Sequence, residues 1–264
     1  MKLLALDIDE TTLRHDGTLS KKNAEAIEYV RSSGGHAVIV TGRPPRGAYP
    51  IWEKLPCDDI CVCFGGAVIV NMRTGEEYDS IYMDPYVLRD ALIHAGKIGL
   101  VSQIYRDDSV MTEYANEYSD RYIKYLKLAP YEIVPDMQNM LHDRIVKMLC
   151  FSPEDELRKN MRSFTDRLGD RIGISASANY LIEINNPMAN KGTGLVSLCR
   201  LLGIDVSESV AMGDSILDIP MIKAAGVGIA VKNSQPEVLP YADMIAPDCD
   251  DDAVAWVVER FFSR

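Results

Sequence analysis

Groups able to do chemistry recur where apolar runs of this chain stop. Asp7-Ile8-Asp9 follows Leu3-Leu4-Ala5-Leu6, and Thr11 comes two residues after Asp9. Thr41-Gly42-Arg43 follows His36-Ala37-Val38-Ile39-Val40. Lys191-Gly192 opens a helical stretch, and Gly213-Asp214, with Asp218 beyond it, follows Ser209-Val210-Ala211-Met212. Alternation along a strand predicts that Asp7 and Asp9 point the same way. Two carboxylates at the end of a buried strand repel one another. A cation, a shared proton or solvent exposure would each relieve that repulsion.

These groups can meet only if the apolar runs lie side by side. Lys2 to Asp9, residues 36–42 and the run Ile60-Cys61-Val62-Cys63-Phe64 read as strands. Ser20 opens a helix through Val30 that Gly34-Gly35 closes, and Asp16-Gly17 reads as a small hairpin turn. Short all-apolar strands separated by helices predict an α/β fold, a Rossmann-like parallel-sheet core with helices on both faces. The pattern breaks at Asp84-Pro85 and resumes after Asn185-Asn186-Pro187. Between them, residues 84–185 read as a self-contained α+β insert. It runs as a helix, strands at 100–105 and 109–114, a helix from Glu117, a strand at 144–151, a helix from Pro153 to Leu168, and strands at 172–178 and 180–185. The core is then 1–83 with 186–264, its second part holding a helix at Lys191–Leu202, a helix from Ile216 to Ala225 and three more strands.

In an open parallel sheet, ligands bind at the carboxyl ends of the strands. Asp7, Asp9, Thr11, Thr41, Gly42 and Asp214 all fall there. A divalent cation would hold such carboxylates together. The donors are hard oxygens, with no His or Cys at these strand ends, which favours Mg²⁺ over zinc. Mg²⁺ commonly shares a phosphate with the protein. Thr41 and Gly42 can offer a hydroxyl and an N–H to phosphate oxygens, and Lys191 adds a cation at a helix start. Asp218, four residues after Asp214, can face the same side of a helix start. Taken singly, each motif is ordinary: a solvated or capping D-x-D, a Thr-Gly turn, a solvated lysine, an N-cap aspartate. Their joint order is what carries the reading.

With Asp7-Ile8-Asp9-Glu10-Thr11, Thr41-Gly42-Arg43, Lys191-Gly192 and Gly213-Asp214-Ser215-Ile216-Leu217-Asp218, the chain resembles the haloacid dehalogenase (HAD) superfamily of phosphohydrolases. The resemblance is to the Cof-type branch with a C2 cap and covers the whole chain. It implies that residues 84–185 are the C2-type cap. It implies Asp7 as the nucleophile forming an aspartyl-phosphate, and Asp9 as the general acid and base. It implies Mg²⁺ held by Asp7, Asp214 and the Asp9 backbone carbonyl. Thr41, Gly42 and Lys191 would bind phosphate, Asp218 would orient Lys191 or metal-bound water, and Arg43 is a possible substrate contact or a surface ion pair. Glu10, Gly65 and Leu217 depart from the branch pattern, which favours Gly or Asp, Asn, and Asn at those places. The implied activity is Mg²⁺-dependent hydrolysis of a small phosphorylated metabolite such as a sugar phosphate. A phosphomutase of the same superfamily and a non-catalytic phosphometabolite-binding protein are the alternatives.

Composition sets outer limits. Of 264 residues 47% are apolar, enough for a sizeable core without staples. The formal net charge of −11 argues against nucleic acid or an anionic membrane as partner. No apolar run reaches the ~18 residues needed to span a bilayer, and the N-terminal run has no secretory pattern, so a cytoplasmic location is expected. The six cysteines, including the close set Cys57, Cys61 and Cys63, are expected in core packing. Oligomeric state is not legible.

Overall fold

A computed structural model of the chain describes residues 1–126, 129–139 and 144–263. In chain order the first part supplies β1 (Leu3–Leu6), α1 (Lys21–Ser32), β2 (His36–Val40), α2 (Pro45–Trp52), β3 (Ile60–Cys63), β4 (Val68–Asn71) and β5 (Glu77–Ser80). The middle supplies α3 (Pro85–Lys97), β6 (Val101–Arg106), β7 (Ser109–Thr112), α4 (Glu117–Leu126), β8 (Glu132–Ile133), β9 (Ile145–Phe151), α5 (Leu157–Leu168), β10 (Gly173–Ala178) and β11 (Leu181–Asn185). The last part supplies α6 (Lys191–Leu202), β12 (Ser209–Gly213), α7 (Ile219–Ala224), β13 (Val227–Val231), β14 (Met244–Ala246) and α8 (Ala253–Phe261).

The chain forms two compact units, Met1–Ser80 with Asn190–Arg264, and Ile81–Ala189. The first is an α/β unit around a sheet of order β14-β13-β12-β1-β2-β3-β4-β5. Its pairs from β14 to β3 are parallel, while β4 and β5 are antiparallel additions at one edge. Leu3, Ala5, Val38, Val40 and Ala211 form a core with Leu195, Leu198 and Cys199 of α6 and Met221 of α7. The central strands β1 and β12 are buried along their length, which explains their lack of polar alternation. Each buried Leu or Val contributes on the order of 1.5–3 kcal/mol. All six cysteines are buried.

The second unit is a sheet of order β10-β11-β9-β6-β7-β8, antiparallel except for the β7–β8 pair. Ile104, Met148, Ile182 and Ile184 from one face pack with Leu88 and Ala91 of α3 and Phe164 of α5. Residues 81–83 belong to this unit because Met83 N donates to Ile145 O and Asn186 Nδ2 donates to Tyr82 O. Among the described residues no helix is long and apolar enough to cross a membrane.

Several elements differ from the sequence reading, the short β8 among them. β1 stops at Leu6, so neither aspartate lies in the strand; residues 8–12 form a tight turn with Glu10 left-handed at φ 54°. α2 has no counterpart in that reading; Pro45 lies in its first turn, while the internal Pro50 masks it. The stretch from Ile216 is a 3₁₀ turn, Ile216–Asp218, and α7 begins only at Ile219, with Pro220 in its first turn.

One close approach positions the helix that carries Lys191. Gly66 has φ 104°, and a Cβ there would stand 2.0 Å from the carbonyl oxygen of Asn190. Backbone cannot retreat as a side-chain tip can. Gly66→Ala should therefore lower unfolding free energy by about 2–4 kcal/mol. Gly65, at φ 67° with open space around its Cβ position, should accept Asn at a cost under about 1 kcal/mol. Urea unfolding of both variants checks the contrast; equal losses would contradict it.

Candidate active site

The site is assembled from the ends of adjacent strands. β1 and β12 pair in register, Leu6 opposite Met212, and Asp7 N donates to Met212 O at 3.1 Å. Asp7 and Asp214 thereby leave neighbouring strands at the same edge. The turn after Asp7 is held by two hydroxyls. Thr12 Oγ1 donates to Asp7 O at 2.6 Å, and Thr11 Oγ1 donates to Asp214 Oδ1 at 3.1 Å. The side chain of Asp7 is buried.

Lys191 reaches the same point from the first turn of α6. Asn190 caps that helix: its Oδ1 accepts from Gly192 N and Thr193 N, and Thr193 Oγ1 answers back to the Asn190 backbone N–H. A Cβ on Gly192 would stand 2.5 Å from Pro220 O, so the helix start packs tightly on α7. The Lys191 ammonium, 3% exposed, donates to Asp7 Oδ1 and Asp218 Oδ1, each at 2.5 Å. Asp218 is fully buried and works with both oxygens. Its Oδ2 accepts from Asp214 N (3.2 Å), Ser215 N (2.9 Å) and Ser215 Oγ (2.8 Å). One carboxylate thus fixes both the lysine and the loop carrying Asp214. A Cβ at residue 213 would stand 2.3 Å from Asp218 Cβ, which is why glycine precedes Asp214.

Charge does not balance here. Carboxylate oxygens of Asp7, Asp214 and Asp218 lie within 4.8 Å of one another, against one ammonium. Burial pushes the Asp7 carboxyl well above its ordinary value; Lys191 pulls it down, and Asp218 and Asp214 push it up again. Burial, then the Asp218 charge, raises Asp214 to about 6. Burial alone would lower Lys191, but Asp218 and Asp7 outweigh it and hold the ammonium protonated. The donors are hard oxygens short of positive charge. They fit a magnesium-class cation, with Asp7 and Asp214 as the side chains to hold it, since Asp218 is already spent on Lys191 and the 214–215 loop.

The remaining expected residues are held by other contacts. Asp9 does not share a side with Asp7: the turn diverts it to an exposed, bidentate pair with Arg43, at 2.9 and 2.8 Å. Arg43 also donates to Gly47 O at 3.3 Å. Thr41 is buried and its Oγ1 accepts from Arg43 N at 3.2 Å, while a Cβ on Gly42 would meet open space. Glu10 and Gly65 occupy left-handed positions, where Gly and Asn are the readiest residues. Leu217 lies half-buried in the turn before Asp218. Three supports went unread in the sequence. Gln235 N donates to Asp214 O, Ser234 Oγ to Gly213 O, and Asn233 Nδ2 to Glu10 O. They follow β13, and only tertiary folding brings them near; Asn190 with Thr193, by contrast, was a readable capping pair.

A haloacid dehalogenase-like hydrolase family model matches residues 4–258. The crystal structure of a haloacid dehalogenase-like hydrolase from Bacteroides thetaiotaomicron superposes with a TM-score of 0.85 at 26% identity, covering 99% of each chain. The Bacillus subtilis 5-amino-6-(5-phospho-D-ribitylamino)uracil phosphatase YitU is 24% identical, covering 99% of this chain and 97% of that protein. The Escherichia coli pyridoxal phosphate phosphatase YbhA is 22% identical, covering 96% of each. With a match over nearly its full length, the chain belongs to the haloacid dehalogenase-like hydrolase family and is a phosphatase of the Cof type.

Proposed function

We propose that this phosphatase is a Mg²⁺-dependent phosphomonoesterase that works through an aspartyl-phosphate on Asp7. Its substrates are small phosphorylated metabolites, sugar phosphates foremost. The observation that carries the reading is the Lys191 ammonium bridging Asp7 and Asp218 beside Asp214. A nucleophile, a phosphate-binding cation and a cation-seeking carboxylate stand within one hydrogen-bonded unit.

Mg²⁺ would be held by Asp7, Asp214 and the backbone carbonyl of Asp9, and when bound it neutralises and orients phosphoryl oxygens. Lys191 has three N–H donors; two go to Asp7 and Asp218, leaving one for a phosphoryl oxygen. Thr41 and Gly42 complete the phosphate cradle. The free oxygen of Asp7 attacks phosphorus, the ester O–P bond breaks, and Asp9 gives its proton to the departing alkoxide. Asp9 then takes a proton from water as the water attacks the aspartyl-phosphate, and Asp7 leaves as carboxylate. To do this, Asp9 must exchange its pair with Arg43 for the substrate. Residues 81–189 would serve as the cap that selects substrate and excludes bulk water.

A phosphate-release screen over phosphorylated metabolites tests the reading. Turnover should require Mg²⁺ and vanish in excess chelator. Asp214→Asn should raise the Mg²⁺ needed for half-activity by at least roughly 10-fold. Asp9→Asn should slow turnover by roughly 10²–10⁴-fold. Undiminished activity in chelator would remove the metal from the account, and isomerised product without phosphate release would make the protein a mutase.

The raised carboxyls also predict a pH signature. In the folded, metal-free protein Asp214 titrates near 6, against an ordinary value of 3.8. Folding thus binds a proton that the unfolded chain has already released. That stabilisation is complete below pH 3.8 and is lost as pH rises through about 6. In chelator, wild type should lose thermal stability relative to Asp214→Asn as pH rises from about 4 to about 6, with no further loss from this group by pH 8. Mg²⁺ at pH 8 should restore wild type alone. A difference between the two proteins that ignores pH would contradict the charge argument.

A further inference from the structure

We infer that His15, Asp248 and Cys249 form a binding site for a transition-metal ion of the zinc class, beside the turn that carries Asp9. One ligand atom from each lies within 4.8 Å of the others. His15 Nε2 stands 3.6 Å from Asp248 Oδ1, and Cys249 Sγ stands 3.7 Å from the same oxygen. Ligands about 2.0–2.3 Å from one tetrahedral ion are themselves separated by about 3.3–3.8 Å. The set combines imidazole nitrogen, sulfur and carboxylate oxygen, which selects zinc-class ions over magnesium. It shares no residue with the Asp7, Asp214 and Asp218 cluster, and the inference stands independently of the proposed reaction.

Four features mark this as a held constellation rather than a chance meeting of surface groups. The loop presenting His15 is closed on itself: Arg14 N donates to Thr18 O, and Gly17 N, at φ 77°, donates to Arg14 O. His15 N is anchored to Asp250 Oδ1 at 3.2 Å. Cys249 N donates to Asn233 Oδ1 at 3.0 Å, and Asn233 Nδ2 donates to Glu10 O at 2.8 Å. The other imidazole nitrogen, Nδ1, faces Glu10 Oε2 at 3.8 Å. A carboxylate hydrogen-bonded to the second nitrogen fixes the tautomer and ring direction of a metal-bound histidine, and a small turn of the exposed Glu10 side chain would bring it into that reach. The charge surroundings agree. Arg14 and Lys22 pair with Asp252, while Glu10, Asp248 and Asp250 gather around His15.

Cys249 is buried, so an ion would enter past the half-exposed His15. On binding, the S–H bond of Cys249 breaks, its proton goes to solvent, and the sulfur–metal bond forms. His15 binds as neutral imidazole through Nε2, with Nδ1–H turned to Glu10. Water takes the fourth position. No redox change is involved. The ion would join the loop of residues 13–18 to residues 248–250 and, through His15 and Glu10, brace the turn bearing Asp9.

The test is Co²⁺ titration of the intact, chelator-stripped protein in reducing, oxygen-free buffer with excess Mg²⁺. A thiolate bound to Co²⁺ gives near-ultraviolet charge-transfer absorption, which carboxylate sites do not. The band should saturate at one Co²⁺ per chain and be displaced by one equivalent of Zn²⁺. Cys249→Ser should abolish it. His15→Ala and Asp248→Asn should weaken Co²⁺ binding at least roughly 10-fold, and Glu10→Gln roughly 10-fold. His15 and Asp248 are not core residues, so those variants carry the test if Cys249→Ser fails to fold. No band with excess Co²⁺, or a band unchanged in His15→Ala and Asp248→Asn, overturns the inference.

Discussion

Three carboxylates held against one ammonium, largely out of water, set the terms for the rest of the core unit. Such a cluster is costly wherever it is buried. It persists because its members are over-determined. Asp7 is set by β1, Asp214 by the neighbouring β12, and Lys191 by the capped start of α6. Asp218 ties lysine and loop together with its two oxygens. Each tie depends on a close approach. Gly213 lets Asp218 reach the loop, and Gly66 and Gly192 let α6 seat against backbone. The charge left uncompensated by Lys191 is what makes a divalent cation chemically fitting.

The same constraint explains where Asp9 goes. A fourth carboxylate among Asp7, Asp214 and Asp218 would deepen the imbalance. The turn after Asp7 instead sends the Asp9 side chain to Arg43, which is anchored at α2 through Gly47. The charge that would do proton transfer is thus kept apart from the charges that would hold metal and phosphate. In the Thr-Gly-Arg segment, Thr41 is buried with its hydroxyl accepting from Arg43 N, and Arg43 holds Asp9.

Much of this was legible in the chain. The apolar runs gave six parallel strands and, α2 apart, the helices between them, and the polar residues ending those runs named the cluster. The α+β insert was readable from its change of rhythm after Asp84-Pro85. What failed was local geometry. Alternation was extended past Leu6, although Glu10 adopts a left-handed conformation that no period-two pattern contains. Pro50 hid α2, and Pro220 moved the start of α7. Nor could spacing show Asp9 meeting Arg43, or Asn233 reaching Glu10, Ser234 reaching Gly213 and Gln235 reaching Asp214; these contacts exist only once the sheet order brings distant segments together.

The central claim is that Asp7, and no other carboxylate of the cluster, becomes phosphorylated. The direct measurement is acid quench during steady turnover of the best phosphate ester, followed by borohydride reduction and peptide mass mapping. An aspartyl-phosphate is reduced to homoserine, whereas free aspartate is untouched. The account predicts homoserine at residue 7 alone. Homoserine at residue 9, 214 or 218, or turnover that leaves residue 7 as aspartate throughout, would contradict it.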